Sequence, residues 1–387
     1  MNVLIAALSA PTQLNGVSRH AMNLARALLS TREIDRVHFI AGDWQKPMFS
    51  PGLPEADPRL HMHWVRLADA NISRLSWYYR ELPQIAMQLE ADVVHLTYPA
   101  PVAAHSYHCP LVVSLHDLYP FDTPVNFGVL RSAVARRTMG QCIRRVNAIA
   151  CVSTSTLDQL TRWFPDRVAE AVVIPNVVEL KGPLQAERAP EALRGHPFLL
   201  SVAQHRRNKN VPFSISVFAR ALQDRVLPRD ARFVIVGIPG PETSAIHARI
   251  RECRLEDRVF LYSGLTEPEL HWCYRHCAAL LAPSSVEGFG LPVVEAALAG
   301  CRIVCSDIPA FHEVGGLSCH FVPHDDDLVA AYTRVLADAL AAPKPPARSL
   351  PHLSAASVGR RYAELYRTLL CSRISEFDML AQPESAS

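Results

Sequence analysis

Residues 278–307, AALLAPSSVEGFGLPVVEAALAGCRIVCSD, predict a strand, a loop, a short helix and a second strand in succession. The centres of the two flanking runs, ALLA and IVC, contain only apolar residues. Uninterrupted apolar strands are typical of parallel sheets that helices cover on both faces. This stretch therefore predicts one repeat of a parallel α/β sheet.

The same succession of short apolar runs and longer helical patterns recurs along the chain. The other runs are NVLIAAL, RVHFIAG, ADVVHLT, PLVVSLHD, AIACVS and AVVIP in the first half, and FLLSVAQ, RFVIVG, VFLYSG and HFVP in the second. Residues 180–197, LKGPLQAERAPEALRGHP, separate the halves with proline, glycine and charge. We predict two Rossmann-like, doubly wound parallel-sheet domains that face each other across a cleft.

The length of the chain supports two domains, because 387 residues exceed what one hydrophobic core usually serves. The predicted domains cover residues 1–183 and 184–352. An amphipathic helix is predicted at residues 353–370 and a disordered polar tail at residues 371–387.

The net charge of +2 gives no general electrostatic case for nucleic acid. The apolar run from Val3 to Leu8 is too short for a signal core or a membrane span. The ten cysteines include no C-x-x-C pair, and the spaced pairs near residues 273–277 and 301–305 lack histidine partners. We predict buried, reduced thiols, no metal and a cytoplasmic location.

Two glutamates flank a glycine-rich turn at the start of the central helix. Gly288 and Gly290 allow a ligand to approach the backbone, and the helix start presents N–H groups to an anion. Glu287 and Glu295 would repel a phosphate but accept hydrogen bonds from hydroxyl groups. A nucleotide-diphosphate sugar, anionic in its middle and hydroxylated at both ends, fits this pattern. The alternative is that Glu295 complements the helix dipole and Glu287 is solvated.

The loops after other predicted strands supply further candidates. Arg206, Arg207 and Lys209 lie together after FLLSVAQ, either as counter-charge for a diphosphate or as a solvated basic turn. Gly16 follows the first strand and could form a backbone cradle, although it is not part of a G-x-G-x-x-G fingerprint. His116 ends a strand, where it is a cap or a reacting group. The acidic run at residues 325–327 is predicted to cap a helix rather than to bind a metal.

These residues carry a resemblance to a known family. PSSVEGFGLPVVEAALAG, with two glutamates separated by seven residues, is similar to the signature of the retaining family-4 glycosyltransferases. NGVSRHAMNLARAL, VSLHD, IACVSTST, SVAQHRRNKNV and SDIPAFHEVGG occur in the family's order. The resemblance covers residues 1–370 and implies the GT-B fold, in which two Rossmann-like domains face each other.

The resemblance also implies a role for each matching residue. Glu287 would contact the hydroxyls of the donor sugar and Glu295 the ribose, while Lys209 would bind the diphosphate. His116 would lie near the transferred sugar. The remaining donor contacts would come from the backbone at Gly16, Val17, Gly288, Phe289, Gly290 and Leu291.

The sequence departs from the family at two positions. Gln204 stands where the family usually carries an arginine, so Arg206 or Arg207 would have to supply the second cation. Val177 replaces the usual glycine of IPNVV, which would alter the interdomain turn.

The implied activity is retaining, metal-independent transfer of a hexose from a GDP- or UDP-sugar, with no cofactor besides this co-substrate. The acceptor would be a glycan, a lipid-linked saccharide or a small-molecule hydroxyl, as in polysaccharide or glycoconjugate biosynthesis. An epimerase or phosphorylase of the same fold and a silent sugar-nucleotide binding protein remain alternatives.

The predicted acceptor domain contains a basic helix. Its five arginines are Arg131, Arg136, Arg137, Arg144 and Arg145, and all but Arg136 share a broad face. This face would dock on anionic lipid at the inner face of the membrane or on a phosphate-linked acceptor, or it would be solvated. The aromatic run at residues 77–79 would line a groove or enter the core.

Overall fold

The computed structural model describes residues 1–10, 13–67, 71–122, 129–179 and 188–380. The described residues form two compact units. The first contains residues 1–177 and the segment from Pro351 onward, and the second contains residues 178–350. The two-domain α/β architecture predicted from the apolar runs is the observed fold.

The first unit is built on a seven-stranded parallel sheet in the order β3-β2-β1-β4-β5-β6-β7. Its strands are β1 (Asn2–Ala6), β2 (Arg36–Gly42), β3 (Leu60–Val65), β4 (Val93–Leu96), β5 (Leu111–Leu115), β6 (Ala148–Cys151) and β7 (Ala171–Val173). Its helices before the second unit are α1 (Gly16–Leu29), α2 (Lys46–Phe49), α3 (Asn71–Gln88), α4 (Tyr119–Asp122), α5 (Val129–Arg145) and α6 (Thr154–Trp163).

The second unit is built on a six-stranded parallel sheet in the order β10-β9-β8-β11-β12-β13. Its strands are β8 (Phe198–Val202), β9 (Arg232–Val236), β10 (Val259–Tyr262), β11 (Ala279–Ala282), β12 (Ile303–Ser306) and β13 (Cys319–Val322). Its helices are α7 (Val211–Gln223), α8 (Thr243–Glu252), α9 (Glu267–His276), α10 (Leu291–Leu298), α11 (Pro309–Gly315) and α12 (Leu328–Ala341).

Each sheet separates two hydrophobic layers, because the strands are buried on both faces. In β1, Val3 and Ile5 pack into one layer, while Leu4 and Ala6 pack into the other. This alternation explains why the strands read as uninterrupted apolar runs. The strand order reverses between β1 and β4 and between β8 and β11, the switch points at which open α/β sheets bind ligands.

The last described element is a helix, α13 (Ala355–Leu380), that packs on α1 of the first unit. A Cβ atom on Gly359 would lie 2.1 Å from the carbonyl oxygen of Ala27, so only glycine allows this approach. The helix continues ten residues beyond the predicted end at residue 370, as far as Leu380. The segment contains no glycine or proline that would end a helix. Residues 381–387 lie outside the described ranges.

One strand, β3, was not predicted. It lies at the edge of its sheet and reads LHMHWV, in which His61 and His63 interrupt the apolar residues. An edge strand with one partner needs fewer apolar side chains than a central strand, so its hydrophobic signal is weak.

Candidate active site

The loops that follow β8 and β11 meet at the switch point of the second sheet. Nζ of Lys209, in the first loop, lies 2.5 Å from Oε1 of Glu287, in the second. The Glu287 side chain is 9% exposed and that of Lys209 is 17% exposed. The structure therefore brings together two predicted site residues that are 78 positions apart, and Glu287 is not the solvated residue of the alternative interpretation.

Asparagines beside Lys209 fasten the two loops to each other. The amide of Asn208 donates to the carbonyl of Val286, and the carbonyl of Asn208 accepts from the backbone N–H of Ser285 at 2.9 Å. Asn210 adopts a left-handed conformation, with φ of 49°, and its amide donates to the carbonyl of Pro283 at 2.8 Å. Asparagine tolerates this conformation better than most residues. The position of Lys209 is thus fixed from both sides.

Gly290 sets the direction of the backbone at the start of α10. Its φ is 91°, and an added Cβ atom would lie 2.9 Å from the ring of Phe311. Within the described ranges, the backbone N–H groups of Phe289, Gly290 and Leu291 have no hydrogen-bond acceptor. Donors of this kind at a helix start are suited to an anion. Gly288 and Leu291 border the same turn.

Glu295 lies inside the unit, four residues into α10. It is 8% exposed, and its Oε2 accepts a 2.8 Å hydrogen bond from the hydroxyl of Tyr274 on α9. It is not in the first turn of the helix, so the alternative interpretation as a first-turn acid that complements the helix dipole is wrong. The sequence did not indicate Tyr274 as a site residue, because the 21 positions that separate it from Glu295 correspond to no helix or strand repeat.

The two arginines of the basic loop differ from Lys209. Arg206 and Arg207 are exposed, and neither guanidinium group makes a hydrogen bond or an ion pair with any residue that the structure describes. Gln204 is half-buried beside the loop that follows β9. There the Cβ of an alanine at Gly237 would lie 1.8 Å from the carbonyl oxygen of Ala203. The strand end is therefore closely packed at Gln204, whereas the guanidinium groups of Arg206 and Arg207 are free to meet an anion.

The first unit contains the other predicted residues. Gly16 begins α1 and is exposed, and Val17 is half-buried. The side chain of Asn15 caps this helix by accepting from the backbone N–H of Ser18 at 2.9 Å.

His116 is half-buried after β5, with Nε2 2.9 Å from the carbonyl oxygen of Thr97. Since a carbonyl only accepts, Nε2 carries the proton and Nδ1 keeps its lone pair. Burial lowers the pKa of His116, which keeps the ring neutral near pH 7. The residue that caps the following turn is Asp117, whose Oδ1 accepts from the N–H of Tyr119.

Sequence reasoning missed a buried polar network beneath His116. The rings of His20 and His116 meet edge to face, with centroids 4.6 Å apart. His20 is hydrogen-bonded to Asn176 and Ser114, and Ser114 is also hydrogen-bonded to His95. Burial holds the pKa of His20 well below its usual range and lowers the pKa of His95 to about 3. The only signal was polar residues within apolar strands, as in VVSL and VVHL.

The basic helix α5 presents part of its predicted face. Arg137 and Arg145 are exposed and line a groove of about 480 Å³ with Tyr79 and His105. Trp77 and Tyr78, the neighbours of Tyr79, are buried in the core. Arg144 instead lies over the ring of Phe164, 4.9 Å from its centroid, and Arg136 lies over Phe121. The side chain of Arg131 lies outside the described residues.

The predicted helix cap and the predicted buried thiols can also be compared with the structure. Asp327 caps α12 by accepting from the N–H of Ala330 at 3.0 Å, as predicted. Seven of the ten cysteines are buried free thiols, namely Cys109, Cys142, Cys151, Cys273, Cys277, Cys301 and Cys305. Over the described ranges, no group of three or more His, Cys, Asp or Glu side chains is arranged to hold a metal ion. None of the helices described there is long and apolar enough to cross a membrane.

Two family models match the chain. The model described as Glycosyltransferase Family 4 matches residues 14–181, and the model described as Glycosyl transferases group 1 matches residues 185–345. The first match contains Gly16 and His116, and the second contains Lys209, Glu287 and Glu295.

Curated relatives of the chain include glycosyltransferases. The chain is 24% identical to the O-antigen chain mannosyltransferase RfbU of Salmonella typhimurium over 56% of its own length and 57% of that relative. It is 21% identical to the O-antigen chain mannosyltransferase B of Escherichia coli, over 86% of this chain and 89% of that one.

Solved structures support the fold. WaaG, a glycosyltransferase involved in lipopolysaccharide biosynthesis, superposes with a TM-score of 0.64 at 17% identity over 96% of this chain and 98% of that one. A sucrose-phosphate synthase from Thermosynechococcus elongatus superposes with a TM-score of 0.65 at 16% identity, over 98% of both chains. The topology and these matches together establish the GT-B fold.

Proposed function

We propose that this chain, a glycosyltransferase with the GT-B fold, transfers a hexose from a nucleotide-diphosphate sugar to a hydroxyl group and retains the anomeric configuration. The observation that carries the proposal is the buried pair of Lys209 and Glu287 at the switch point of the second sheet. A cation for the diphosphate and an acceptor for sugar hydroxyls are placed side by side, next to the free N–H groups at Gly290.

The proposed reaction breaks the bond between the anomeric carbon and the diphosphate oxygen. The acceptor hydroxyl forms the new bond on the same face of the sugar, and its proton passes to the departing diphosphate oxygen. Lys209, Arg206 and Arg207 stabilise the charge on the leaving group. Glu287 orients the sugar, Glu295 holds the ribose, and His116 offers its neutral imidazole to the transferred sugar.

The proposed reaction is independent of metal, because protein cations and backbone N–H groups carry the charge compensation. Activity should therefore survive dialysis against EDTA. A complete loss of activity that Mg²⁺ restores would contradict this part of the proposal.

The names of the relatives favour a mannosyl donor and a role in polysaccharide or glycoconjugate biosynthesis. A thermal-shift panel with GDP-mannose, UDP-glucose and UDP-N-acetylglucosamine tests the choice, since a ligand that binds only the folded state raises the melting temperature. We expect the largest rise with GDP-mannose.

The decisive experiment compares Glu287→Ala with Glu256→Ala, which changes an exposed glutamate of the same unit. Glu287→Ala should lower donor turnover by about 100-fold or more, as removal of one transition-state contact does. Undiminished turnover in this variant would overturn the assigned site. NMR of the product anomeric proton tests retention, while phosphate dependence or simple donor isomerisation would indicate a phosphorylase or an epimerase instead.

For the acceptor, we propose a lipid-linked saccharide at the inner face of the cytoplasmic membrane. Arg137 and Arg145 are exposed and line a groove together with Tyr79. Co-sedimentation with vesicles of phosphatidylglycerol should fall for Arg137→Gln/Arg145→Gln but not for Arg251→Gln, an exposed arginine of the second unit. Equal binding of all three proteins would contradict membrane contact through this face.

A further inference from the structure

A continuous line of hydrogen bonds crosses the first unit from α13 to α1. The hydroxyl of Tyr366 lies 2.5 Å from Nδ1 of His95, and Nε2 of His95 lies 2.8 Å from Oγ of Ser114. The same Oγ lies 2.8 Å from Nε2 of His20, whose Nδ1 lies 2.8 Å from Oδ1 of Asn176. Tyr366, His95 and Ser114 are fully buried, and His20 and Asn176 are 5% exposed.

The acceptor at one end determines the direction of every bond in this line. Oδ1 of Asn176 only accepts, so Nδ1 of His20 donates to it and Nε2 of His20 must accept from the Ser114 hydroxyl. Ser114 has one proton, so it accepts in turn from Nε2 of His95. Nδ1 of His95 is then an acceptor for the hydroxyl of Tyr366. Both histidines are neutral in this arrangement, each in one defined tautomer.

One member of this line, His20, lies beside the imidazole of His116. The His20 ring, held by a hydrogen bond on each nitrogen, contacts the His116 ring edge to face at 4.6 Å between centroids. Among the described residues, the His116 ring makes one hydrogen bond, from Nε2 to the carbonyl of Thr97. One hydrogen bond permits the ring to swing about that contact, so the ring of His20 supplies the second restraint.

We propose that Tyr366 and His20 are positioning residues for His116. The C-terminal helix, through Tyr366, His95 and Ser114, fixes the ring of His20, which in turn holds the imidazole of His116 in its reactive orientation. This role requires no proton transfer along the line; the hydrogen bonds only fix the orientation of the rings. The inference rests on the proposed role of His116 in sugar transfer.

The C-terminal helix offers a matched pair of variants. Tyr366→Phe removes only the hydroxyl that donates to His95. Tyr362, one turn earlier, is equally buried, and its ring contacts the His95 ring edge to face. Its hydroxyl has no partner at hydrogen-bond distance and angle among the described residues. Tyr362→Phe is therefore the control for the loss of a buried hydroxyl without loss of the line.

Two measurements distinguish positioning from general support. ¹H–¹⁵N spectra of the histidine rings report which nitrogen carries the proton; wild type should show Nδ1–H for His20 and Nε2–H for His95 and His116. Tyr366→Phe should shift the signals of all three rings. It should also lower kcat by about tenfold with an unchanged donor KM, because the reacting group is displaced while the donor-binding loops of the other unit are intact. Tyr362→Phe should change neither.

Ser114→Ala breaks the line at its centre and should reproduce the shifts of His20 and His116. The proposal is overturned if Tyr366→Phe shifts His95 alone and leaves kcat at the wild-type value, or if Tyr362→Phe produces the same changes. The ring spectra need no substrate, so they test the positioning of His116 even if the chain proves to have no transferase activity.

Discussion

Nζ of Lys209 and Oε1 of Glu287 lie 2.5 Å apart in a largely buried ion pair. The cation proposed for the diphosphate is thus held by the carboxylate proposed for the sugar. Each group offsets the cost of burying the other, and removal of one leaves a charge with little access to water. The same contact therefore links the stability of the second unit to its proposed chemistry.

Lys209→Met should abolish transfer and also destabilise the fold. The unpaired Glu287 carboxylate should lower the free energy of unfolding by about 2 kcal/mol, the usual scale for a buried group that loses its partner. Urea unfolding measures the loss of stability, and a donor-turnover assay measures the loss of transfer.

A double variant, Lys209→Met/Glu287→Gln, separates the two effects. Stability should return to within about 1 kcal/mol of wild type, because neither charge remains, while activity stays lost. The contrary result would be additive losses: if the free energy of unfolding fell in the double variant by the sum of the losses in the two single variants, the two residues would not be coupled.

The fold could be predicted from sequence because a parallel sheet buried on both faces requires apolar runs that are visible in one dimension. The loop at residues 284–291 could also be predicted from sequence, since Gly290 and Glu287 are close together in the chain. The contacts that position the site residues could not be predicted. Tyr274 reaches Glu295 across a packed helix pair, and Tyr366 reaches His95 across 271 residues. Such pairs are products of topology, and spacing alone does not indicate them.

Tyr274→Phe should weaken donor binding without changing the chemical step. The hydroxyl at 2.8 Å from Oε2 orients the Glu295 carboxylate proposed to hold the ribose. Loss of one hydrogen bond to a charged group costs about 2 kcal/mol, which corresponds to a rise of about 30-fold in the donor dissociation constant if all of it is lost from binding. Calorimetry with the nucleoside diphosphate alone checks this, and unchanged affinity combined with reduced kcat would contradict the ribose assignment.

Gly290→Ala should damage both stability and donor binding. An alanine at φ of 91° is strained, and its Cβ would press on the Phe311 ring at 2.9 Å. The expected cost is about 1 to 3 kcal/mol of unfolding free energy, with loss of the backbone N–H geometry at the start of α10. The control is Gly264→Ala, since a Cβ atom there meets nothing within 4 Å. Equal melting temperatures for the two variants would show that the backbone at position 290 does not require glycine.

Buried histidines should make the protein less stable in mild acid. Burial, with the nearby His63 and His61 rings, lowers the pKa of His38 from 6.5 to about 4. Between these values the unfolded chain binds a proton at this residue and the folded chain does not, so the free energy of unfolding falls as the pH falls. Each such group contributes a slope of at most about 1.4 kcal/mol per pH unit, reached only where the unfolded chain is fully protonated and the folded chain is not.

Urea unfolding from pH 6.5 to pH 4.5 checks this slope for His38. His38→Gln should reduce the loss of stability across that range, because the variant has one fewer group that titrates only in the unfolded chain. His108→Gln, which changes an exposed ring, should leave the slope as in wild type. An identical slope for wild type and His38→Gln would mean that His38 takes up its proton in the folded protein as readily as in the unfolded chain. The 3.1 Å contact between the ring nitrogens of His38 and His63 would then not require that both rings be neutral.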